Sequence, residues 1–294
     1  MHLTHAKPPL RSLQVFEAAA RLGSFTAAGS ELGITQSGVS RQVSDLEATL
    51  GVSLFTRNGA RLTVTPAGAR LAGQLSDVLS RTWSAVADAR RSEQVVTLSM
   101  LPSVAARWFA PRLGAFLQSN PGIDLRIAAS RHLVDFAAEG VDAAIRYSPS
   151  PSGQLEAVKL GAETVTPVCS PDYRRTLHLN APSDLYRATL LCGDIPEDWQ
   201  AWFRAARCEE PPPPGPRLGD DAAILQAAVE SQGVALGRSK LVQDDIAAGR
   251  LIAPFNVSLD ASYAYWFVRP TGIPTTQAVE AVQRWLQEQF RGQT

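Results

Sequence analysis

The chain has 294 residues, enough for two or three domains with real cores. Its 28 Lys and Arg balance 28 Asp and Glu, so no general cationic surface argues for nucleic acid, and any such binding must rest on local geometry. No apolar run approaches the ~20 residues needed to span a bilayer, and the opening MHLTHAKPPL holds no apolar segment like a signal peptide's, so a cytoplasmic protein is expected.

Leu10, Leu13, Val15, Phe16, Ala19 and Ala20 predict an amphipathic first helix. Ser24-Phe25-Thr26 supplies hydroxyls that can accept hydrogen bonds from the free N–H groups starting a second helix. Gly33 ends that helix by taking the left-handed conformation of a sharp exit. Thr35 then caps a third helix whose apolar positions Val39, Val43, Leu46 and Leu50 fall at spacings of four, three and four. Its opposite face opens with Gln36, Ser37, Ser40, Arg41 and Gln42, side chains that approach DNA closely or read base edges and phosphates. A surface helix pair in a larger bundle shows the same pattern, and the flanking sequence separates the two readings. Asn58-Gly59 signals a hairpin between short extended segments, a wing that places Arg57 and Arg61 near phosphates. Thr26 and Thr35 join the DNA-facing set at the two helix starts. Residues 1–65 carry a net charge of +2 and the remainder −2.

FEAAARLGSFTAAGSELGITQSGVSRQVSDLEATLGVSLFTRNGARLTVTPAGARL resembles the amino-terminal domain of LysR-type transcriptional regulators, without a gap from about Leu10 to Leu71. Gly29 stands where the family usually has the second of two alanines and Gly38 where it usually has Ala or Pro, and glycine inside a helix costs roughly 0.5–1 kcal/mol relative to Ala. The resemblance implies an all-α winged helix-turn-helix DNA-binding domain over 1–65, a linker helix over 66–91 and a two-lobed α/β effector domain, like a periplasmic binding protein, over 92–294. Lobe I is expected at 92–165 and 268–294 and lobe II at 166–267.

Pro66 starts the long linker helix, where Leu71, Leu75, Val78, Thr82, Val86 (or Ala85) and Ala89 fall near heptad spacing. Packing onto its own domain is one use for that seam. The resemblance implies another, pairing with a second subunit, so that two recognition helices address two half-sites. Beyond Ser92, the strands at Val95–Met100, Ile123–Ala128 and Val141–Tyr147 alternate with helices at Val104–Ser119 and Val134–Glu139, which predicts a mainly parallel sheet. Strands at 155–160 and 163–169 follow, then helices at 183–186 and 199–206, and Pro211–Pro216 forms a stiff connection. A helix over 222–231, a strand over 233–237, a helix over 241–248, a strand over 261–268 and an amphipathic helix over 275–290 complete the chain. NPGIDLRI, VDFAAEGVDAAIRY, PVCSP and AVESQGVALG resemble the branch of glycine-cleavage and β-lactamase regulators.

Ligands of open α/β sheets sit at the carboxyl ends of strands. That rule lines a cleft with Leu101, Pro102, Ser103, Ser130, Arg131, Arg146 and Tyr147, and from the other lobe come Asp220 and Asp221 at a helix start and Tyr263 and Tyr265 on the return strand. The branch resemblance implies roles for Ser103, Asp135, Asp221 and one of Tyr263 and Tyr265. Each has a plainer use: Ser103, Asp220 and Asp221 as helix caps, and Arg131 and Arg146 as partners of Asp135 or Asp142. The arginines would anchor a carboxylate and the aspartates an amine, hydroxyl or sugar, so an effector carrying both charges is expected. The four histidines are dispersed, which predicts no metal site, cofactor or catalytic triad, hence no enzyme. Cys169, Cys192 and Cys208 leave a thiol switch open without tight spacing. Expected partners are promoter DNA, a homodimer or homotetramer, a small-molecule effector and RNA polymerase, with no membrane. The rival readings are a constitutive DNA-binding regulator and a solute-binding or enzymatic α/β protein.

Overall fold

Apolar residues at helical spacing build a three-helix core at the amino end of the computed structural model, which describes residues 7–58, 61–88, 93–151 and 153–291, with backbone alone at 57–58, 61, 84–85 and 87–88. The chain divides into two units, Met1–Arg90 and Arg91–Thr294. In the first, α1 (Leu10–Leu22), α2 (Phe25–Leu32) and α3 (Gln36–Leu50) bury Val15, Ala18, Ala19, Phe25, Ala28, Val39 and Val43 in one cluster. Leu50, expected on the apolar face of α3, is exposed, because the helix ends there as Gly51 takes a left-handed conformation. The chain then pairs β1 (Phe55–Asn58) with β2 (Arg61–Val64) in the antiparallel register expected of a wing. The predicted turn at Gly59, the leader with His2 and His5, and residues 89–92 at the predicted linker boundary lie outside the described residues.

α4 (Pro66–Asp88) divides its apolar residues between two faces. Leu75 and Leu79, with Leu71 and Ala72 beside them, close a second core cluster with Phe16, Leu46 and Leu54. The predicted seam therefore splits: Leu71 and Leu75 pack onto their own domain, whereas Val78 is 56% exposed and Val86 42%, and Trp83, outside that seam, is 46% exposed. A 3.6-residue period drifts off a strict heptad, which carries the later positions away from the core.

The second unit holds two sheets. β3 (Val95–Met100), β4 (Asp124–Ala129) and β5 (Ala143–Ser148) are parallel, as the β-α-β-α-β order requires. The returning β11 (Ala264–Pro270) joins β5 antiparallel, and β6 (Leu155–Gly161) pairs antiparallel with β11 in turn, so it runs the same way as the first three; the order is β4-β3-β5-β11-β6. The sheet is thus mixed rather than mainly parallel. The second sheet runs β10 (Leu259–Asp260), β7 (Thr164–Val168), β9 (Val234–Arg238) and β8 (Leu190–Leu191), with only β8 and β9 parallel. The chain changes sheet between Gly161 and Thr164 and again between Asp260 and Ala264, a few residues before the lobe borders expected at 165 and 267. The helices are α5 (Pro102–Val104), α6 (Leu113–Ser119), α7 (Phe136–Glu139), α8 (Pro171–Leu177), α9 (Trp199–Ala205), α10 (Asp221–Val229), α11 (Ser239–Ala247) and α12 (Gln277–Arg291). One core cluster runs from the first sheet into the second, and another lies on the far side of the second sheet around Trp199, Trp202 and Phe203.

The helix expected over Val104–Ser119 is broken into a π segment, Ala105–Phe109, and a 3-10 turn, Ala110–Arg112. Pro111 explains this, since it has no N–H to give and its ring crowds the carbonyl of Arg107. The irregular turn carries Arg107 to Asp245 (2.6 Å) and Arg112 to both oxygens of Asp244 (2.7 and 2.9 Å), tying the two lobes along one side. At the crossings, the Glu163 carbonyl accepts from Ala261 N (3.0 Å), so the two connecting segments are held together. The Glu163 side chain is buried and accepts from Ser239 Oγ, Thr164 N and Lys240 N at the start of α11. Burial raises its carboxyl above the ordinary range, against the pull of those hydrogen bonds.

Candidate DNA interface and inter-lobe cleft

The turn between α2 and α3 is set by caps. Ser24 Oγ accepts from Ala27 N (3.2 Å) and Thr35 Oγ1 from Gly38 N (3.1 Å), each satisfying one of the free donors of a helix start. Gly33 sits at φ 65°, the left-handed exit expected of it. Gly29 has a packing reason rather than a propensity one. A Cβ there would stand 2.7 Å from Ile34 O, and Gly29 O accepts from Ile34 N (2.9 Å), so the turn folds down onto α2 at this point.

That geometry leaves Gln36, Ser37 and Arg41 exposed and Ser40 half-exposed along the first two turns of α3, with Thr35 and Thr26 exposed at the helix starts. Arg41 makes no hydrogen bond or ion pair among the described residues, whereas Arg21 is held by Glu17 and Glu31. Gln42 turns inward, half-buried with Oε1 out of solvent and without a partner, so it stands apart from the exposed set. Arg57 and Arg61 occupy the wing strands, Arg57 facing Leu62 and Arg61 facing Asn58 in the register. Glu47 fixes the approach to the wing by accepting from Leu54 N (2.6 Å) and Phe55 N (3.0 Å).

In the second unit, the carboxyl ends of strands from both sheets meet around a cavity of about 150 Å³. Leu101, Ser103, Arg131, Tyr147, Asp220, Asp221 and Tyr263 line it together, joined by Asp194, Ile195, Pro196, Gly219 and Arg238. The other expected cleft residues lie elsewhere. Alternation along β5 sends Arg146 away from the face that carries Tyr147, and its guanidinium reaches Ser99 Oγ at 3.4 Å. Asp135 is exposed and caps α7, accepting from Ala137 N and Ala138 N, while Ser130 hydrogen-bonds His132 and Pro102 begins α5. Tyr265 is sealed beneath the cleft, opposite Tyr147 in the register with ring centroids 4.9 Å apart.

The centre of the cleft is Arg238, which the sequence reading missed. It ends β9, where the strand-end rule used for the other residues would have found it. The side chain is 2% exposed; Nη2 donates to Asp221 and, at 3.4 Å, to Ser103 Oγ. Its guanidinium lies 4.4 Å over the Tyr147 ring and 5.7 Å over that of Tyr265, so an arginine of the second lobe is clasped by two tyrosines of the first. Nε and Nη1 are buried with no partner, as are the hydroxyls of Tyr147 and Tyr265. Burial raises both phenols, against the neighbouring charge of Arg238, so both stay protonated donors at neutral pH. Several strong donors therefore converge here without acceptors, an arrangement that fits an anionic group. Asp220 caps α10 through Ala222 N (2.8 Å), and Arg131 reaches Asp194 at 3.3 Å, so the cleft carries both signs of charge. Cys169 is fully buried, and burial pushes its thiol up to about 11, which leaves little thiolate for redox chemistry at neutral pH.

Residues 10–69 match the family described as bacterial regulatory helix-turn-helix protein, lysR family, and residues 89–291 the LysR substrate binding domain. The chain is 38% identical over 295 residues to the glycine cleavage system transcriptional activator of Escherichia coli K12, covering 97% of both. It is 38% identical over 282 residues to the transcriptional activator AmpR of Rhodobacter capsulatus, covering 95% of this chain and 96% of that one. Among solved structures, the effector domain of Pseudomonas aeruginosa AmpR superposes with a TM-score of 0.59 at 31% identity, covering 67% of this chain and 95% of that one. CrgA, a LysR-type transcriptional regulator from Neisseria meningitidis, shares the fold, with a TM-score of 0.55 at 21% identity over 97% of this chain and all of that one. With the helix-turn-helix, the wing and the two-lobed domain all present, this chain belongs to the LysR family of DNA-binding transcriptional regulators with a small-molecule effector domain.

Proposed function

We propose that the chain works as a cytoplasmic homo-oligomer that occupies two promoter half-sites and is switched by a small zwitterion in the inter-lobe cleft. The unmet donors of Arg238 carry this reading. The volume of about 150 Å³ is roughly five waters' worth, which suits an amino-acid-sized molecule. Its anionic end would take Arg238 and the Tyr147 hydroxyl, and its amine would face Asp220 and Asp194. Residues 1–65 would bind DNA through Thr26, Thr35, Gln36, Ser37, Ser40 and Arg41, with Arg57 and Arg61 on phosphates, 66–91 would link the units and 92–294 would hold the effector. The exposed Val78, Trp83 and Val86 support self-association through α4.

In this mechanism effector binding draws the lobes together, shifts the arrangement of dimers within a tetramer and alters DNA bending and polymerase contact. An effector that binds one state tenfold better shifts the balance by ~1.4 kcal/mol. The test is footprinting of the full-length protein on the DNA just upstream of its own reading frame, with and without candidate zwitterions. Protection over two phased regions that lengthens or shortens with effector is expected. Protection unchanged by any zwitterion, with Arg238→Met indistinguishable from the unaltered protein, would overturn the effector reading; no protection by folded protein would overturn the promoter-binding one.

A further inference from the structure

A larger cavity, about 520 Å³, lies within the second lobe beside the cleft. Ile195 and Asp221 line both, so these two residues stand between them. One wall is the run Pro211–Pro214, and the floor is Leu191, Trp199, Ile224 and Leu236. The size matches that of small-molecule sites, and apolar and polar surface share the lining about evenly. The polar groups here are mostly acidic: Glu197, Asp198, Glu210 and Asp221. Two of those carboxylates are committed, Asp198 to Ala201 N (2.7 Å) and Asp221 to Arg238. The basic lining residue, Arg217, donates to Gly193 O (2.9 Å) and Asp194 (3.2 Å).

Glu197 is different. It is 6% exposed, and Oε1 accepts from both Ser262 N and Ser262 Oγ at 2.7 Å, while Oε2 is buried with no donor. A buried carboxylate oxygen left without a donor is costly, and a ligand N–H would satisfy it. Proline rings and an indole offer flat, apolar contact to an aromatic body.

We propose that this cavity is a second small-molecule site, separate from the inter-lobe cleft, for a flat aromatic cation whose amine binds Glu197. The reading does not depend on the effector assignment of the cleft.

The probe is tryptamine, compared with neutral tryptophol and anionic indole-3-acetate, by titration calorimetry on the full chain. Tryptamine should bind one site, at least tenfold more tightly than tryptophol, with indole-3-acetate weakest. Glu197→Gln keeps an acceptor for Ser262 and should bring tryptamine down to the level of tryptophol. Tyr263→Phe, altered only on the cleft side, should leave tryptamine affinity unchanged. Equal binding of tryptamine and tryptophol to the unaltered protein would overturn the proposal without relying on any variant. So would the absence of saturable tryptamine binding, or a loss on Tyr263→Phe that Glu197→Gln does not share.

Discussion

Removing either partner of the Arg238–Asp221 pair should cost very different amounts. Arg238 is 2% exposed and the Asp221 side chain 23%, so deleting the aspartate strands the charge that water cannot reach. Breaking a buried pair in that direction costs ~3–5 kcal/mol. Glu163 still attracts Arg238 through space, and the Tyr147 ring still lies 4.4 Å from the guanidinium, which places Asp221→Ala near the lower end, about 3 kcal/mol. Arg238→Met leaves a carboxylate that water can solvate and refills the volume with an apolar chain, so roughly 1–2 kcal/mol is expected. The double variant should resemble Arg238→Met alone, because the stranded charge is gone. Urea unfolding of the full chain followed by tryptophan fluorescence measures this, since five of the six tryptophans (108, 199, 202, 266 and 285) lie in the second unit. Midpoint shifts at constant slope give the free energies. If Asp221→Ala cost no more than Arg238→Met, Arg238 would not be the buried, paired charge described.

Arg41→Ala should weaken specific DNA binding by ~1–3 kcal/mol in mobility shifts while leaving the unfolding of the second unit unchanged; unaltered affinity would remove Arg41 from the interface. Leu79, 4% exposed, should cost the first unit ~2–5 kcal/mol on truncation to Ala, whereas Trp83→Ala, at 46% exposure, should act on self-association in sedimentation and little on unfolding. Thr35→Ala removes the cap on Gly38 N and should cost the first unit about 1 kcal/mol, read from the loss of helical circular dichroism in residues 1–90 rather than from the second unit's tryptophans. Glu163 holds its proton more tightly folded than unfolded, so its contribution to stability is full below the reference value of 4.5 and is lost as pH rises through the raised native value. Glu163→Gln should flatten that part of the stability profile, and an unchanged profile would show that Glu163 is not the titrating group.

The helix-turn-helix was legible because its determinants are local. Ser24, Gly33 and Thr35 act through backbone within three or four residues of themselves, and Val39, Val43 and Leu46 announce their face by period alone. The strand-end rule likewise brought Leu101, Ser103, Arg131 and Tyr147 to one cavity, because the end of a strand is a property of the strand. Pro111 is visible in the sequence as well, yet the apolar residues on either side of it continue the helical pattern. Only the partners across the lobes, Asp244 and Asp245, show why an interrupted helix is tolerated there.

The sequence by itself determined most of the local units, their caps and the family they compose, while the helix α8 and the break at Pro111 escaped it. Tertiary structure decided what each face meets. β11 returns through the first sheet from more than a hundred residues away, and its register sets Tyr265 against Tyr147. β9 ends where Arg238 can cross into the other lobe, and α4 spends half its apolar residues on its own domain. Pairings of that kind depend on which distant strand lies alongside, and the period of a single segment carries no information about its neighbour.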